Sequence, residues 1–199
     1  MFLLLCLINV VPSSVYASEG AIKPDSKFYF LQTWGESLKL FFANSPEQKL
    51  NYLLELSDRR VGEMKNAPSS QVANRYEDHF RQLNELSNQV EGKEQAVGRI
   101  KEANLRQQVV LAKVYGQVPE NAKDAIINAQ ENSSKHVAQT IERVEGSQKA
   151  QEYIQQVAII QQVEKIGQVE RLEQAPIEGS PGGLKENKGL LPGQELKPL

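Results

Sequence analysis

Residues 69–115 read SSQVANRYEDHFRQLNELSNQVEGKEQAVGRIKEANLRQQVVLAKVY, and their spacing decides the fold class. Tyr76, Leu83, Val90, Val97, Asn104 and Leu111 recur at seven-residue steps, with Phe80, Ile100 and Tyr115 forming a neighbouring row. Such a repeat lines one face of a helix and favours coiled-coil-like packing. The spacing predicts one helix capped by Ser69 or Ser70 and continuing to about Tyr115. Gly92 and Gly98 weaken it by about 1 kcal/mol each relative to alanine, bending it without ending it. At about 1.5 Å per residue, a rod of this length reaches roughly 65–70 Å, so an elongated shape is expected.

Upstream, Asp25-Ser26 after Pro24 predicts a helix start. The helix carries Phe28, Leu31, Trp34, Leu38, Phe41 and Phe42 on a broad apolar stripe. So much aromatic surface is expected to be buried, since a buried ring contributes a few kcal/mol. The alternative is a partner-docking or membrane-surface patch. A helix for anionic membrane wants basic residues on its polar face, where only Lys27 and Lys39 stand. Ser45-Pro46 with Gln48 predicts a capped second helix, bearing Leu50, Leu53, Leu54, Ser57, Val61 and Met64 and stopped by Asn66-Ala67-Pro68.

Downstream, Gly116 to Pro119 breaks the pattern. A fourth helix follows through Ala122, Ile126, Ala129, Val137, Ile141 and Val144. Beyond Gly146-Ser147 come Tyr153, Val157, Ile160, Val163 and Leu172, in a glutamine-rich segment. From Ala175 the chain is rich in proline and glycine, a composition that predicts a disordered tail. The expected class is therefore all-α, an elongated helical hairpin or bundle with long coiled-coil-like helices. Its parts are a helical domain over 22–146, the glutamine-rich helix over 147–174 and the tail over 175–199.

The first residues read differently. Phe2 to Val11 is apolar apart from Asn9, the length of a signal-peptide core and too short to cross a bilayer. Val15-Tyr16-Ala17 suits cleavage after Ala17, although the basic residues that usually open such a leader are missing. Residues 1–17 are thus read as a signal peptide and the mature protein as secreted or otherwise extracytoplasmic, in the cell envelope. Cys6, the one cysteine of the chain, lies in that leader, so the mature protein is expected to form no disulfide and no thiolate metal site. No later stretch approaches the length of a membrane span.

The chain has 199 residues and a net charge of −2, without a basic cluster, which argues against nucleic acid. No G-x-S-x-G, S-x-x-K, HExxH or phosphate-loop pattern occurs, and no enzyme activity, cofactor or metal is expected. His79 follows Glu77 and Asp78, but neighbours in sequence do not share a helical face. It reads as a solvated histidine. Glu55 and Arg59 are spaced for an ion pair along the helix, and Arg60 is within reach of the first or fourth helix. Interhelical salt bridging is the expected role of Arg59 and Arg60.

Two stretches carry a resemblance. One runs from Lys23-Pro24-Asp25-Ser26-Lys27-Phe28-Tyr29-Phe30-Leu31 through Glu36, Leu38, Lys39 and Leu40 to Pro46-Glu47-Gln48-Lys49 and Glu55-Leu56-Ser57-Asp58-Arg59-Arg60. The other is Val110-Leu111-Ala112-Lys113-Val114 followed by Val118-Pro119-Glu120-Asn121-Ala122-Lys123-Asp124-Ala125-Ile126. In order and spacing they resemble the bacterial family called domain of unknown function 5667, over roughly residues 22–136. Similar chains usually carry alanine where Ser57 stands. The resemblance implies an exported or membrane-tethered helical domain and brings no catalytic or binding residue with it.

The function expected from these readings is a non-catalytic interaction or scaffold protein of the envelope, with a protein partner. Self-association is most readily placed in the glutamine-rich helix. The alternative is a stress chaperone or metal-responsive helical protein, against which the mature chain sets only Met64 and two histidines.

Overall fold

A computed structural model describes residues 22–174, with side chains through residue 164. The signal-peptide reading, Cys6 and the tail over 175–199 lie outside the described residues. Those residues form six helices and no strand: α1 (Tyr29–Phe41), α2 (Pro46–Asn66), α3 (Ser70–Leu86), α4 (Lys93–Tyr115), α5 (Glu120–Glu145) and α6 (Ser147–Gln174). The protein is all-α.

Local chemistry sets the helix starts. Ser45 Oγ accepts the Gln48 N–H at 3.2 Å ahead of Pro46, and Ser69 Oγ accepts the Val72 N–H at 3.4 Å. The Gln48 side chain reaches back to the Asn44 N–H, one residue before the Ser45 that a capping box would use. At α1 the start comes later than Asp25-Ser26 suggests. Ser26 Oγ instead accepts the Phe28 N–H in a local turn, and the helix begins at Tyr29.

The single rod over residues 69–115 does not form. It is two helices, α3 and α4, joined through residues 87–92. Gly92 sits in the left-handed region at φ 70°, which turns the chain into α4 and which residues with a Cβ rarely adopt. The seven-residue row nevertheless stays inside: Tyr76, Leu83, Val90, Val97, Asn104 and Leu111 are all buried. The connection preserves the phase of the repeat, so both helices turn the same row to one core. Folding back replaces a long rod with two rods of roughly 25 and 35 Å.

α2 packs on α3 and α4, and α5 packs on the same two, so four helices close a ring. α6 lies against both α4 and α5. Contacts fix the directions. Arg99 of α4 meets Glu47 and Gln107 meets Asp58, so α4 runs with α2. Glu77 meets Asn132 and Asn84 meets Thr140, so α5 runs with α3. Asn104 meets Tyr153 and Lys113 meets Glu164, so α6 runs with α4. The core holds Leu50, Leu53, Met64, Phe80, Ile100, Ile126 and Ile141. Gly146, at φ 97°, makes the tight corner into α6.

Glycine substitutions at two positions of this fold should have opposite signs. Gly92→Ala is expected to destabilise by about 1–2 kcal/mol through its left-handed backbone. Gly98→Ala is expected to stabilise by about 1 kcal/mol, because that position lies within α4 and an added Cβ meets nothing within 4 Å. Urea denaturation of the two variants checks the pair.

Candidate functional site

The helix that departs most from expectation is α1. Its buried positions are Tyr29, Thr33 and Glu36, spaced four and three apart on one polar stripe. The opposite stripe faces water. Phe28, Phe30, Leu31, Trp34, Phe41 and Phe42 are all exposed, Trp34 by 64% and Phe41 by 77%. The expectation that Phe28, Leu31, Trp34, Phe41 and Phe42 form core is thus corrected: α1 docks with its polar side inward.

The reason lies in α2. Arg60 is completely buried, and a buried guanidinium requires anionic and hydrogen-bonding partners. It donates to Glu63 at 2.7 Å on its own helix and to Glu36 of α1 at 2.5 Å. It also donates to the phenol of Tyr29, which itself donates to Glu63 at 2.6 Å. Arg59 donates to Glu36 at 2.8 Å and to Glu55 at 3.2 Å, the expected pair within α2. Gln32 completes the contact by donating to Glu63 at 3.0 Å. Burial and the neighbouring Glu63 carboxylate push the Tyr29 phenol well above its ordinary pKa, so it remains a donor. Arg59 and Arg60 therefore do bridge helices, and Arg60 chooses the first. They stand on the inner side of α1, away from the aromatic face, so the predicted residues divide into an ionic clamp and an exposed patch.

The sequence reading counts Tyr29 only with the aromatic residues and gives Glu36 and Glu63 no role in an ion pair. The signal was present as a polar stripe opposite the aromatic one and as the Arg60–Glu63 spacing. His79 was misread. It is 8% exposed, and Val72, His79 and Leu86 form a second seven-residue row, buried throughout. Burial, with repulsion from Arg60, Arg75 and Arg59, depresses its pKa from 6.5 to about 3. Below about pH 6.5 the unfolded chain takes up a proton that the folded chain refuses. Stability should be full above that pH and fall on acidification, by at most about 1.4 kcal/mol per unit. The interval from about pH 6.5 to 4.5 isolates the effect, before the carboxylates titrate. Urea midpoints across it should slope in the wild-type protein and flatten in His79→Phe.

A second polar array lies inside the ring. Tyr153 donates to Asn104 at 2.6 Å, Tyr76 donates to Gln107 at 2.9 Å, and Gln107 donates to Asp58 at 2.6 Å. Gln108 donates to Ser134 at 2.8 Å and to the Gln130 carbonyl at 3.0 Å. Burial raises the pKa of both phenols, which keeps them neutral. These hydrogen bonds fix the register of α2, α4, α5 and α6, while Gln108 Oε1 and Gln130 Nε2 are buried without a partner among the described residues. An open crevice of about 390 Å³ between α4, α5 and α6 is lined by Ala112, Tyr115, Ile127 and Glu131 among others, with a single carboxylate. Among the described residues no three His, Cys, Asp or Glu side chains converge as metal ligands. No helix there is long and apolar enough to cross a membrane.

No curated protein and no solved structure matches the chain. The model of the family described as domain of unknown function (DUF5667) matches residues 21–121, just over half of the chain. That span takes in α1 with its ionic clamp, α2, α3 and α4, and stops at the first turn of α5. Arg60, Glu36 and Glu63 and the aromatic face all fall within it, and the chain belongs to the DUF5667 family.

Proposed function

We propose that this protein is a non-catalytic docking module of the cell envelope and that its working surface is the outer face of α1. One observation carries the reading: Phe30, Leu31, Trp34 and Phe41 are exposed on α1, flanked by the exposed Phe28 and Phe42, while the polar face of the same helix is locked inside. Leaving such a stripe in water forgoes several kcal/mol of burial. Contiguous exposed apolar surface of this kind marks interaction sites. The apolar stretch from Phe2 to Val11 and the Val15-Tyr16-Ala17 sequence support an extracytoplasmic location.

A photo-crosslinking amino acid placed singly at Leu31 or Trp34 in living cells tests the reading. Covalent adducts with an envelope component are expected from both positions and not from Glu94, which is exposed on α4. Absence of adducts from α1, or equal labelling from Glu94, would count against a docking face.

A further inference from the structure

We infer that the partner of the α1 face is an anionic lipid surface; the inference rests on the docking reading above and names what is docked to. The chemistry of the face is selective. Phe30, Leu31, Trp34 and Phe41 are exposed on it, flanked by Phe28 and Phe42. The one carboxylate of α1, Glu36, is turned away and held by Arg59 and Arg60. Glu36 therefore brings no negative charge to the face. Basic residues stand at its ends, Lys23 and Lys27 before the helix and Lys39 in its last turn, with Asp25 the only acid among them. Lys39 lies over the Tyr52 ring and pairs with the half-exposed Glu55 at 3.8 Å, which leaves the attraction to Lys23 and Lys27.

Shape points the same way. Recognition of another helix usually needs a groove, whereas α1 presents a ridge of aromatic rings. A bilayer surface requires no complementary relief. Trp and Phe side chains settle at the boundary of headgroups and acyl chains, to a depth of roughly 5–10 Å, while lysine stems reach back to the phosphates. A free helix of this length is marginal in water. Here the Arg60 cluster holds it folded in advance, so binding does not have to order it. Apolar burial supplies most of the attraction. Each lysine near an anionic surface adds a factor of roughly five.

Trp34 is the only tryptophan of the chain, so its fluorescence reports this face directly. The mature chain, beginning at Ser18, is titrated with vesicles of phosphatidylcholine, with and without about one-third phosphatidylglycerol. Emission should shift to the blue and become quenchable by brominated acyl chains, with binding at least roughly tenfold tighter to the anionic vesicles. Lys23→Gln with Lys27→Gln should weaken binding roughly 25-fold. Phe30→Ser with Phe41→Ser should abolish the Trp34 response while leaving circular dichroism unchanged, since both rings are exposed. Three results would overturn the inference: no response of Trp34 to lipid, equal response to neutral vesicles, or a blue shift without lipid that grows with protein concentration and marks a second copy. A protein adduct from Leu31 in cells together with an unresponsive Trp34 would remove the lipid partner and leave the docking reading standing.

Discussion

Arg60→Met should lower the stability of the protein by about 3–5 kcal/mol, the usual result of removing one partner from a buried ionic group. Methionine fills a similar volume, so lost packing contributes little. What remains is Glu63, buried and left with only the Tyr29 phenol and the Gln32 amide as donors. Glu36 keeps Arg59 at 2.8 Å, and for that reason the loss should not exceed the stated range. The effect should be local before it is global. Amide exchange across α1 should rise toward that of a short free helix, because Arg60 is the side chain joining α1 to α2 through both Glu36 and Tyr29. Adding Glu63→Gln to Arg60→Met removes the stranded charge and should recover much of the loss. Urea denaturation combined with hydrogen exchange checks all three statements. A cost below about 1 kcal/mol for Arg60→Met would mean that the cluster does not hold α1.

Tyr153→Ala should destabilise by about 3–5 kcal/mol, as large-to-small changes of buried aromatic residues do. Tyr153 is fully buried where α6 crosses α4, and its phenol donates to Asn104. Truncation leaves a cavity, and the Asn104 carbonyl oxygen keeps only a long contact with Gln108, at 3.4 Å. Tyr153→Phe keeps the ring and loses the hydrogen bond, so it should cost about 0.5–1.5 kcal/mol. Residues 147–164 should exchange faster in the alanine variant while α2 and α3 remain protected. The comparison shows whether α6, which lies beyond the matched family span, belongs to the cooperative fold. If Tyr153→Ala left stability and exchange unchanged, α6 would be an appendage.

Much of this architecture can be read from spacing alone. The row from Tyr76 to Leu111 was identified as inward-facing, and every member is buried. The caps at Ser45 and Ser69 and the Glu55–Arg59 pair follow from side-chain chemistry within a single turn. The break after α3 could not be read in the same way. A connection that keeps a seven-residue phase looks like an unbroken helix in any periodicity, and only the left-handed backbone at Gly92 marks the turn. Asn104 is the one amide in that row, and its partners, Tyr76 and Tyr153, come from two other helices.

The orientation of α1 was missed for a further reason. An amphipathic pattern tells which two faces a helix has. Which of them turns inward depends on what the neighbouring helix must satisfy. Here α2 presents a buried arginine, and Tyr29 and Glu36 on the polar stripe meet its demand. The aromatic stripe is left for another surface. His79 was misread through its charged neighbours in sequence, although its place in the Val72–Leu86 row puts it inside.

The inward polar face of α1 is most directly tested by collisional quenching of Trp34 with acrylamide in dilute, lipid-free protein shown by sedimentation to be monomeric. Emission at the solvent-exposed, long-wavelength limit, with quenching close to that of a free tryptophan peptide, is the predicted result. Short-wavelength emission protected from acrylamide in the monomer would place the aromatic face in the core and contradict the account.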